Sequence, residues 1–289
     1  MDNSSKNSRS AGKGWGILVV LGGLLAVAGL VSKAIVLTVI GVILALIGTK
    51  LKGKAEAAQQ GACKDKAVEP ALKEVFDEVS YQPNERLNEP EIAPMQLLLH
   101  TSYQYVDGSD RASATHRGVR VLLGNVRLME TETFRDEQTD LERTNEKEVW
   151  QGLMLTCKIG HTLPTAVALA PRGKIDGLLR YADMKTGNDA FDKRFTVKTE
   201  NPETALLVLT PAMQEKLLAA ADASCGALFV TFCADGRVSM AVNAGRNFFL
   251  PARSSADENA ERVRIAGNLQ RLLAVIDETN PVSQEGAAQ

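Results

Sequence analysis

The sequence has few aromatic residues (5%) and no appreciable excess of either charge. Its 33 Lys+Arg against 35 Asp+Glu leave a net charge of −2. A dedicated nucleic-acid binder carries a clear basic excess, so no nucleic acid is expected as a partner. Only four cysteines occur, Cys63, Cys157, Cys225 and Cys233. They are widely spaced and form no CxxC pair, which argues against a zinc ribbon and a disulfide-stapled mini-protein. Cys157 and Cys233 lie in apolar, strand-like runs, where a thiol behaves as a small hydrophobe. All four are expected to be reduced.

Catalytic signatures are missing as well. There is no P-loop, no GxGxxG after a strand, no GxSxG elbow and no HExxH. His100, His116 and His161 share no metal-ligand spacing. Ser224-Cys225-Gly226 reads as a helix ending at glycine, since no paired base accompanies it. Asp107, Ser109 and Asp110 lack the rest of a calcium loop and read as a turn. No catalytic residue, no metal site and no cofactor is expected.

What is present is a greasy N-terminus. Residues 1–14 are polar and Gly/Ser-rich and read as a disordered tail. Trp15 to Val31 carries no charge, Ser32 and Lys33 interrupt, and Ala34 to Thr49 is again uncharged. One helix through both runs would be about 50 Å long, against a hydrocarbon core of about 30 Å. It would also bury Lys33 near its middle. Two transmembrane spans, 15–31 and 34–49, avoid both problems; a re-entrant hairpin is the alternative. A cleaved signal peptide fits badly, because no small-x-small site ends the first run.

Lys6, Arg9 and Lys13 precede the hairpin, and Lys50, Lys52 and Lys54 follow it, with Lys33 between the runs. The positive-inside rule then places both ends, and the soluble domain, in the cytoplasm. Lys50, Lys52, Lys54, Lys64 and Lys66 would lie at the membrane surface in a basic connector, 50–66, attracted to anionic headgroups. Gly22 and Ala26 in the first run, and Gly41 and Ala45 in the second, have the small-xxx-small spacing of close helix packing in lipid. They are read as packing the hairpin; a homo-oligomer is the alternative.

The rest, 67–279, reads as one soluble domain, with a short disordered tail at 280–289. Pro70 suits a helix start, and Leu72, Val75, Phe76 and Val79 give that helix one apolar face. From 97 to 170 the period shortens to that of strands, with Asp107-Gly108 as a turn and the charged stretch 130–148 as an exposed connection. Phe191 to Val197 reads as the approach to another strand. Asn201-Pro202 and Thr210-Pro211 are helix starts. Asp235-Gly236 joins two strands in a hairpin. Residues 257–277 form a last amphipathic helix, with Val263, Ala266, Leu269, Leu273 and Ile276 on its apolar face. Strands and helices come in blocks, which favours an α+β fold with a mainly antiparallel sheet and flanking helices.

The order of these features resembles bacterial membrane proteins with the domain of unknown function 3137. The residues that carry this include Phe76, Tyr81-x-Pro83, an Asp-bearing segment before Gly118, Trp150-Gln151-Gly152-Leu153 and Thr162 to Pro171. The most specific are Phe191-Asp192-Lys193-Arg194-Phe195-Thr196-Val197, Glu203-Thr204-Ala205 and Leu209-Thr210-Pro211. Phe232 and Phe248-Phe249-Leu250-Pro251 follow. The family typically has an acidic residue where Leu250 stands here. The resemblance implies a hydrophobic hairpin ahead of the domain and an inner-membrane, multi-pass protein; it supplies no catalytic residues. The expectation is a membrane-anchored cytoplasmic interaction or scaffold module, with the bilayer and a protein as partners. The alternatives are an enzyme acting on lipid or envelope precursors through a dispersed site, and an accessory subunit of a membrane transporter.

Overall fold

The computed structural model describes residues 20–21, 35–93, 102–135, 142–173, 183–251 and 257–279. The chain divides into two compact units, Met1–Lys64 with Pro251–Glu258, and Asp65–Leu250 with Asn259–Gln289.

Helix α1, Ile35–Val75, is 41 residues long. It begins in the second apolar run and continues through the basic stretch, where the sequence reading placed a connector and a fresh helix start at Pro70. The proline instead lies inside the helix. An interior proline costs about 3 kcal/mol. Val68 and Leu72, fully buried on either side of it, each recover about 1.5–3 kcal/mol, and the surrounding Ala, Lys, Glu and Gln favour helix. Among the described residues no helix is long and apolar enough to cross a membrane. The predicted first span, apart from Val20 and Leu21, lies outside those residues, as do the tails 1–14 and 280–289.

The second unit is built on a nine-stranded sheet with order β1-β2-β3-β4-β9-β8-β5-β7-β6. The strands are β1 (Glu78–Gln82), β2 (Tyr105–His116), β3 (Val119–Arg135), β4 (Glu142–Lys158), β5 (Val167–Pro171), β6 (Asp183–Met184), β7 (Phe195–Thr199), β8 (Ala227–Phe232) and β9 (Arg237–Asn243). Every pairing is antiparallel. Further helices among the described residues are α2 (Asp189–Arg194), α3 (Pro202–Val208), α4 (Pro211–Ala223) and α5 (Glu258–Thr279).

A larger core joins the end of α1 (Ala67 to Leu72), α4 (Met213, Leu217) and α5 (Leu269, Leu273) to alternate residues of the sheet. A second cluster gathers Leu87 and Ile92, from the segment after β1, around Trp150, Val126 and Phe229. The mainly antiparallel sheet and flanking helices are those expected.

Several local expectations fail, for identifiable reasons. Helix α1 stops at Val75 instead of continuing through Val79, because Val79 and Tyr81 alternate on edge strand β1 and pair with β2. Asp107 and Gly108 lie inside β2 next to a register shift between Ser109 and Ala112. The true β2–β3 turn is Arg117-Gly118, with positive φ at both residues (48° and 80°), as a two-residue hairpin of matching twist requires. Residues 189–194 make a short helix before β7, because the Asn188 side chain accepts from the Ala190 and Phe191 amides. On α5 only Val263 leaves the face read from the sequence, being exposed; Ala266, Leu269, Leu273 and Ile276 are buried as read, joined by Ile265 and Leu272. The Asp235-Gly236 hairpin forms as read, with Gly236 at φ 79°.

Candidate functional site

Of the residues singled out from sequence, Gly22 and Ala26 lie outside the described residues. Gly41, Ala45, Lys50, Lys52, Lys54, Lys64 and Lys66 all fall on α1. The structure therefore places the lysines along a single helix, with Lys50 and Lys54 one turn apart. Ahead of them on α1, Val42, Ile43, Leu46 and Ile47 are 46–59% exposed. Cys225 and Cys233 are free thiols, as is Cys157, which burial pushes up to about 12. Ser224 caps α4, donating to the Ala220 carbonyl at 2.6 Å. Among the described residues no group of three or more His, Cys, Asp or Glu could hold a metal ion.

Two features emerge that the sequence did not disclose. The first is a cleft of about 310 Å³ lined by Glu74, Val75, His116, Arg117, Gln270, Leu273 and Asp277. His116 Nε2 lies 2.9 Å from Asp277 Oδ1, and Arg117 Nη1 lies 3.1 Å from Asp277 Oδ2. The His116 ring meets Phe76 edge-on, and Arg262 binds Glu74 at 2.5 Å. The cleft thus holds a hydrogen bond and an ion pair that tie the β2–β3 turn to α5. His116 and Asp277 are 161 positions apart, and no spacing rule could have joined them.

The second is a two-stranded ribbon. Past the bulge between Leu128 and Met129, β3 and β4 continue as a ladder from Met129↔Glu148 to Arg135↔Glu142. Strand β2 leaves β3 at Met129, and β9 leaves β4 at Gly152. Residues 142–148 are all exposed, as are 132–135. Phe134 is 44% exposed. The charges of this stretch hide its alternation, so the sequence alone reads as an exposed connection here. Register across the ladder, set by the buried part of both strands, extends it as a sheet.

The ribbon is fixed at its root. The Gln104 side chain brackets Thr131, donating to its carbonyl at 3.2 Å and accepting from its amide at 2.9 Å. This satisfies the outer edge of β3 at that point. Arg127 binds Asp107 and holds that carboxyl below its usual range, chiefly through the hydrogen bond. Burial raises Glu148 beside Arg127. On β4 the outer edge is different. The Gln151 carbonyl accepts from Ala244 and Gly245, but among the described residues no strand pairs with that edge from Glu142 to Trp150.

An antiparallel sheet with flanking helices defines an α+β domain. Residues 148–280, from the root of the ribbon through α5, match the family described as "Protein of unknown function (DUF3137)", so the resemblance read from the sequence holds over that stretch. No curated protein matches. Among solved structures, the crystal structure of the mycobacterial trehalose monomycolate transport factor A, TtfA, is similar at 12% identity. Its TM-score is 0.36, and the match covers 74% of this chain and 95% of that one.

Proposed function

We propose that this chain is a membrane-anchored interaction module: an N-terminal anchor holds the α+β domain at a bilayer, and the domain engages a protein partner. The observation that carries the reading is the β3–β4 ribbon. Its seven exposed residues from Glu142 to Glu148 add nothing to the core, and an isolated hairpin is marginal in water. A rooted, projecting ladder of this kind is a surface for contact. The anchor draws support from the uncharged runs 15–31 and 34–49. It draws more from the exposed apolar residues of α1 just ahead of Lys50, Lys52 and Lys54, since an exposed apolar patch marks a membrane or protein contact. Two spans with a cytoplasmic domain are the arrangement we propose.

In-cell cross-linking of a tagged full chain, solubilised in mild detergent, tests this. The expected result is one dominant partner, lost when the α+β domain is deleted and kept when residues 15–49 are replaced by an unrelated hairpin. Recovery of the chain alone would sink the reading. Release of the chain from membranes by carbonate would sink the anchor separately.

A further inference from the structure

The open edge of β4 carries a charge pattern that says what can lie against it. Successive residues of a strand face opposite sides. Glu142, Glu146 and Glu148 therefore share one face of the ribbon, while Arg143 and Lys147 share the other. Consider first a second copy. A twofold axis that lays two β4 edges side by side, antiparallel, sets even positions against even and odd against odd. In one such register Glu142 meets Glu148 and Arg143 meets Lys147. In another, Glu142 meets Glu146. A third sets Glu146 against itself. No symmetric register places opposite charges opposite each other, and like charges directly across a strand pair are destabilising. The edge is built against pairing with itself, the usual protection of an exposed strand.

The same pattern favours a different occupant. A foreign strand with Lys or Arg at alternate positions would set them against Glu142, Glu146 and Glu148. Its other face would meet Arg143 and Lys147 with neutral or acidic residues. The backbone groups of 142–150 supply the ladder. The β3 edge is a poorer candidate, because Gln104 already occupies the amide and carbonyl of Thr131.

We propose that the free edge of β4, residues 142–150, is a docking edge for an extended segment of another protein that carries Lys or Arg at alternate positions. This names the partner chemistry of the interaction module and rests on that reading. Affinity comes from added main-chain hydrogen bonds, and selectivity from the alternating charge.

The test uses the full chain in detergent and two synthetic nine-residue peptides of identical composition, one with lysines alternating with threonine and valine, the other with its lysines in one block. Fluorescence anisotropy at 150 mM salt should show the alternating peptide binding at least about tenfold tighter. Hydrogen exchange should slow at backbone amides within 142–150 and nowhere in the cleft. The triple variant E142K/E146K/E148K should lose the alternating-lysine peptide and gain an alternating-glutamate one. That gain of binding also shows the variant is folded. Equal binding of the two lysine peptides, or unchanged binding by the triple variant, would overturn the proposal. Cross-linking the triple variant in cells separates the two levels. A partner recovered as before means the module binds through another surface, whereas no partner even for the unaltered chain removes the broader reading.

Discussion

At the scale of single residues the most constrained position is Asp110. It is fully buried and sits at φ 62°, a left-handed conformation that Asp tolerates better than most residues. Its Oδ1 accepts from the Tyr81 hydroxyl at 2.6 Å, and its Oδ2 accepts from Ser109 at 2.6 Å and Asn247 at 2.9 Å. Three donors converge on one acceptor group, drawn from β1, the β2 bulge and the loop after β9. Asp110→Asn turns an NH₂ toward one of these donors. It should lower stability by about 1–3 kcal/mol in urea denaturation, with Tyr81→Phe losing less; no change would mean the network is ornamental. Tyr81 and Cys157 also set an alkaline limit. Burial, then the neighbouring Asp110 carboxylate, push the Tyr81 phenol well above its ordinary 10.0, and burial raises Cys157 from 9.0 to about 12. Both native groups hold their protons more tightly than the unfolded chain does. The Cys157 contribution is therefore complete below about pH 9 and is lost as pH rises through 9–12, while that of Tyr81 is complete below about pH 10 and falls above it. The urea midpoint should fall over that range, and Tyr81→Phe with Cys157→Ala should flatten the fall. A midpoint that rises with pH would contradict the assignment.

At the scale of elements, glycine decides whether β9 can lie between β4 and β8. A Cβ on Gly152 would sit 1.9 Å from the Val242 carbonyl oxygen, and one on Gly226 at 1.9 Å from that of Asn243. Gly152→Ala must force these strands apart and should destabilise by more than about 2 kcal/mol, near the top of the usual range for one substitution, as read by thermal unfolding. The resemblance singled out Gly152, within Trp150-Gln151-Gly152-Leu153, but it lies inside β4, and the reason for a glycine there, close backbone approach, needed the partner strand. Caps were legible because they are local: Asn201 accepts from Glu203 at 2.9 Å and Thr210 from Met213 at 3.2 Å, as Asn-Pro and Thr-Pro announce. Strand ends were less so. Charged residues from Glu130 to Glu148 carry no apolar alternation, so neither the ribbon nor its open edge could be read before the register was known.

At the scale of the whole molecule, the class of fold was legible and the strand order was not. Blocks of period-2 residues pointed to an antiparallel sheet, but nothing local says that β4 should pair with β9 or β5 with both β7 and β8. The cleft shows the same limit, since His116 meets Asp277 only after α5 has packed. The order of strands also has a consequence for biosynthesis. β1 to β4 can pair as they emerge, each with its predecessor, but the β9 flank of β4 lacks its neighbour until roughly eighty more residues have been made. At 5–20 residues per second that is about 4–16 s of translation. During that interval the apolar stretch Leu153–Cys157 stands uncovered on the nascent chain. The half-made sheet is thus the stage at which this protein is most exposed to aggregation and most in need of a chaperone.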